Sequence, residues 1–97
     1  MNPVTAALLA MPAWILTSRD FDRIEVHPCR RTYSSHGVPL SDICDPAEAQ
    51  FWTVYGWYRK GGSEPLEEFP TEAEARWFAE QVRRIYPHLR PPAKLLP

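Results

Sequence analysis

The sequence predicts a small α+β domain: an antiparallel sheet of three to four strands with one main C-terminal helix packed on one face. Three observations carry this. "FWTVYGWYRKGGSEPLEEF" reads as strand, glycine turn, returning strand. "TEAEARWFAEQVRRIY" follows at once with a helix-start signal and a single apolar stripe. Upstream, "DRIEVHPC" alternates apolar and polar residues with the period of a half-buried strand. With 97 residues the chain fits one domain, read here as residues 1–87, with 88–97 as a Pro-rich extended tail.

Taken in order, residues 1–12 fit a short helix or a loosely ordered arm, and "AWILTS" (13–18) fits a short strand. In 22–29, Ile24 and Val26 face one way and Glu25, His27 and Cys29 the other. Pro28 is expected to end this strand or to place it on an edge, because it cannot donate to a ladder. Residues 30–44 read as a long connection, a form that is uncommon unless functional. The competing reading extends the strand through Arg31–Tyr33 to a turn at "SSHG". "DPAEAQ" (45–50) is a helix start in which Asp45 caps, Pro46 takes the first position and Glu48 completes a capping box. That helix is expected to fail after one turn, since Thr53, Val54, Tyr55, Trp57 and Tyr58 prefer strands. A strand is expected over 51–59 and a shorter return over 65–69. The helix over 72–86 is expected to bury Phe78, Val82 and Ile85 beside Ala75. Glu72 and Glu74 at its start, and Arg83 and Arg84 near its end, complement the helix dipole.

Composition narrows the function classes. Net charge is −1, with nine arginines and two lysines. Without a global basic excess, binding through phosphate contacts is disfavoured. No stretch approaches the roughly 20 apolar residues of a membrane span. The start "MNPVTAALLAMPAW" also lacks the basic opening of a secretory signal. The expected location is the cytoplasm, where Cys29 and Cys44 are expected as reduced thiols.

The candidate site is the aromatic strand. One helix covers only one pleat face, so half of Phe51, Trp52, Tyr55, Trp57 and Tyr58 is left to a partner. The alternative is that "VTAALLAM" and "AKLLP" fold over that half. Trp52, Tyr55, Trp57 and Tyr58 are the expected anchors, since Trp and Tyr dominate interface energetics, with Arg59 and Glu67 as rim charges. An uncovered face can equally be buried in a symmetric homodimer. Stacking of single-stranded nucleic acid on the aromatic face is the alternative from another class. It lacks the ordered basic–glycine–aromatic signature of RNA-recognition sheets, and the acidic run Glu64, Glu67, Glu68, Glu72 and Glu74 repels phosphate. His27, Cys29, His36 and Cys44 have the spacing H-x-C-x6-H-x7-C, which matches no common zinc site. His27 with Cys29 is a conceivable base and nucleophile, yet no orienting group or oxyanion site accompanies them. No catalytic residue, metal or cofactor is therefore assigned. The expected partner is a protein or nucleoprotein.

The run W-x-V-Y-G, a glycine turn, and "EF" before T-E-A-E-A is similar to a cassette in small uncharacterised accessory proteins of bacterial plasmids, integrative elements and phages. The similarity covers about a third of the chain. It carries no active-site residues. It implies an accessory protein acting on host machinery, in the manner of anti-defence proteins such as anti-CRISPRs.

Overall fold

The computed structural model describes residues 21–89. Strands β1 (Phe21–Tyr33), β2 (Pro39–Ile43), β3 (Phe51–Tyr58) and β4 (Ser63–Phe69) precede one helix, α1 (Glu72–Ile85). They form a four-stranded antiparallel sheet in the order β2-β1-β3-β4, with α1 on one face. This is the predicted α+β class. The expectations for 1–12, for a strand over 13–18 and for the tail beyond Leu89 lie outside the described residues.

β1 is longer than the sequence reading of 22–29, and Pro28 lies inside it. Pro28 O accepts from Cys44 N at 3.0 Å, so the backbone of residue 28 points toward the β2 side. β2 ends at Ile43, where the missing N–H interrupts no ladder. The reading of 30–44 as one long connection gives way to its competitor, a hairpin. Ser34 Oγ accepts from His36 N and Val38 N, and Gly37 takes φ 77° to close the turn.

Pro46–Glu48 forms a 3-10 turn, but Asp45 makes no side-chain cap. Glu48 N bonds the Asp45 backbone carbonyl instead, at 2.9 Å, which closes so short a turn without a side chain. The second cap forms as expected. Thr71 Oγ1 accepts from Glu74 N at 3.3 Å and donates to Glu74 Oε1 at 2.9 Å.

The core lies between the sheet and α1. Phe21, Ile24 and Val54 from β1 and β3 meet Phe69, Ala75, Phe78, Ala79 and Val82. Ile85, expected in the stripe, is 56% exposed. The buried stripe runs through Ala75, Phe78, Ala79 and Val82, which leaves Ile85 on its flank in the last turn. Leu89, assigned to the tail, joins the core in its place at 4% exposure.

Candidate functional site

Register fixes which side chains share a face. Facing α1, Ile24 lies across from Gly56, Val26 from Val54, and Trp52 from both Pro28 and Phe69. On the other face, Arg23 lies across from Trp57, Glu25 from Tyr55, His27 from Thr53 and Cys29 from Phe51. The six residues nominated from sequence therefore do not form one surface. Trp52 and Tyr58 are half-buried and pack against the core under α1. Glu67 is half-buried on the same side, across from Val54. Tyr55 and Trp57 lie on the opposite face, Tyr55 buried and Trp57 half-buried, and Arg59 is exposed in the turn.

That opposite face is an ordered polar–aromatic layer. The Arg23 guanidinium lies 5.2 Å from the Trp57 ring centroid, and that of Arg31 lies 4.7 Å from Phe51. Such cation–aromatic stacking holds both arginines flat on the sheet. Arg31 also donates to Ser41 Oγ at 2.7 Å and pairs with Glu68 at 3.3 Å. His27 Nε2 contacts Glu25 Oε1 at 2.8 Å and meets the Tyr55 ring edge-on. The layer is closed at its centre, where Cys29, Thr53 and Tyr55 are buried. Burial, and contact with the Cys29 thiol 3.6 Å away, push the Tyr55 hydroxyl up to about 12.

The geometry gives Cys29 no activated-nucleophile arrangement. Its thiol is fully buried and bonds the His27 backbone carbonyl and the Tyr55 hydroxyl, while the His27 ring is turned to Glu25. The Cys44 thiol is raised above its ordinary value, chiefly by desolvation, against the pull of Arg30. Among the described residues, no three His, Cys, Asp or Glu side chains gather as a metal site.

The exposed apolar surface lies elsewhere. Tyr33, Val38, Leu40 and Ile43 on the β1–β2 hairpin are 67%, 54%, 44% and 53% exposed. Every residue of β2 is exposed, and among the described residues β2 is an edge strand. Sequence reasoning missed this site because "GVPLSDIC" is short and lacks aromatic density. The usable signal was three apolar residues spread over "VPLSDI" between two turn signals. A second exposed aromatic, Trp77, stands on the outer side of α1 at 44% exposure.

The two sheet edges differ in character. β4 carries Pro65, a register shift opposite Val54/Tyr55, and Glu64, Glu67 and Glu68, all features that discourage strand addition. β2 has only Pro39 at its start and Asp42. Ladder alternation turns the backbone groups of Leu40 and Asp42 toward β1, and those of Pro39, Ser41 and Ile43 outward.

Among the described residues, no helix is long and apolar enough to cross a membrane. Comparisons with protein-family models, curated proteins and solved structures find no match for the chain.

Proposed function

We propose that the chain is a non-enzymatic interaction protein that binds a protein or nucleoprotein partner, with the β1–β2 edge as its association surface. The observation that carries this is a strand edge with no neighbour among the described residues, flanked by the exposed apolar side chains of Tyr33, Val38, Leu40 and Ile43. The register splits these side chains by pleat, Tyr33 and Ile43 away from α1 and Leu40 toward it, so exposed apolar groups flank the edge on both faces, a feature of interaction sites. An edge strand adds main-chain hydrogen bonds to the side-chain contacts. The family resemblance supports host machinery as the setting in which an accessory, anti-defence role would operate.

Single-stranded nucleic acid is the lesser reading. Arg23, Arg30, Arg31, Arg76 and Arg84 each pair with a carboxylate of the same chain. Phosphate would have to displace those carboxylates before counterion release could contribute.

The test is affinity capture with the wild-type chain and with Ser41→Pro, which removes the central outward N–H of β2. Circular dichroism would verify that the variant is folded. Every specific companion of the wild type, whether foreign or a second copy, is expected to fall at least about tenfold. Unchanged recovery on the folded variant overturns the reading.

A further inference from the structure

We propose that residues 13–18, "AWILTS", cover the Trp57 end of the sheet face that lies away from α1, so that Tyr55 and Trp57 are held by this chain's own N-terminal segment. The inference is independent of the reading of the β2 edge.

Burial on that face exceeds what the described elements supply. Tyr55 is 9% exposed, and the side chain of Glu25, across from it, is 14% exposed. Trp57 Nε1 and Arg23 Nε are shut off from solvent. Yet α1 packs on the other face, and the Pro46–Glu48 turn meets β1 near Arg30, at the Phe51 end. Phe51 and Trp57 stand roughly 20 Å apart along β3. No described helix or turn therefore lies over the Trp57 end.

The same two atoms want acceptors. Neither has a hydrogen-bond partner among the described residues. Glu25 Oε2, 3.6 Å from Arg23 Nε, is an ion-pair partner too distant to be one. Buried donors are nearly always satisfied. The backbone carbonyls of a segment crossing the face would serve both.

Chain direction and composition select the segment. The described residues begin at Phe21, close to Arg23, whose guanidinium lies over the Trp57 ring. Residues 13–18 precede Phe21 closely enough that even the far end reaches no more than about 29 Å when extended. They include Trp14, Ile15 and Leu16, and no charged side chain occurs before Arg19. An uncharged apolar strip suits a surface whose carboxylate is already engaged, as Glu25 is by Arg23 and His27. The C-terminal residues fit less well, because Leu89 sits in the core under α1, on the far face of the sheet. So short a strip is a thinner cover than α1, and it shields the face without making it a second core. A partner that uses Tyr55 and Trp57 would first have to displace it.

Two measurements on the full chain test the proposal. Nuclear Overhauser contacts are expected to link the methyl groups of Ile15 or Leu16 with the rings of Tyr55 and Trp57. The Trp57 indole N–H, identified by its loss in Trp57→Phe, is expected to exchange slowly with solvent. In Ile15→Asp/Leu16→Asp, verified as folded by circular dichroism, that exchange is expected to be at least about tenfold faster. Leu95→Asp/Leu96→Asp is expected to leave it unchanged. Ring contacts from Leu95 or Leu96 in place of residues 13–18 overturn the proposal and make the tail the cover. Contacts that arise only between differently isotope-labelled chains overturn it in favour of a second copy. Rings without contacts, or an indole that exchanges freely in the wild type, overturn it outright.

Discussion

Phe21 lies directly over Gly56. A Cβ added at Gly56 would stand 2.9 Å from two carbons of the Phe21 ring. The same ring stacks on Tyr58 with centroids 4.4 Å apart, so it has little room to retreat. Glycine in the middle of an aromatic strand, a weakness by propensity alone, is the space into which Phe21 fits.

Gly56→Ala is therefore expected to destabilise the fold by about 1–3 kcal/mol, as overpacking does. At roughly 4–8 °C per kcal/mol for a domain of this size, thermal denaturation reads this directly. Adding Phe21→Leu should recover part of the loss. A double-mutant cycle with no coupling would show that the contact is not the cause.

Trp52 and Trp57 should separate. Trp52 packs against the core under α1, so Trp52→Ala is expected to cost about 3–5 kcal/mol. Trp57 lies on the other face, half-buried beneath Arg23, and Trp57→Ala should cost clearly less. Urea unfolding measures both. Equal costs would mean that the face away from α1 is as much a core as the face beneath the helix.

Thr71→Ala should cost about 1 kcal/mol through loss of the α1 cap, whereas Thr71→Ser should be nearly neutral. The contrast between the two variants in chemical denaturation isolates the hydroxyl from the methyl group.

Tyr55 should give the fold an alkaline limit. Its hydroxyl is raised to about 12 from an ordinary value of 10.0, so the folded state favours the neutral phenol. That contribution is complete below pH 10 and is lost as pH rises through about 12. Absorbance titration should show one tyrosine ionising after the others, and Tyr55→Phe should remove that late step. Early ionisation of all tyrosines in folded protein would contradict the burial of Tyr55.

Both thiols should be slow at neutral pH. Cys29 is fully buried, and Cys44 is raised above its ordinary value, which lowers its thiolate fraction. A disulfide-exchange reagent should label Cys44 sluggishly and Cys29 only on unfolding. Rapid labelling of Cys29 in folded protein would reopen a nucleophilic role.

Where the sequence was legible, the signal was local. Thr71 and Glu74 lie three residues apart, and Ala75, Phe78 and Val82 repeat with the helix period, so α1 declares itself within one window. The β3–β4 hairpin does the same through "KGGS" between strand formers. Pro28 misled because its cost depends on whether a ladder partner faces its nitrogen, and that is set by where β2 stops, fifteen residues later at Ile43. Ile85 misled because spacing defines a stripe but not its centre, which Ala79 shifts around the helix. The candidate surface was least legible. Aromatic density marks residues that bury well, and β3 became an inner strand of the sheet. The exposed apolar residues are ordinary aliphatics and one tyrosine on a hairpin, and only sheet order reveals them as an edge.

The unlike character of the two sheet edges decides how large an assembly can grow. A sheet that accepts strands on both sides propagates without limit, the geometry of fibres. Here Pro65, the displaced register and the glutamates of β4 discourage a newcomer, so among the described strands only β2 offers a margin to which a strand could add, and growth there would stop at one addition.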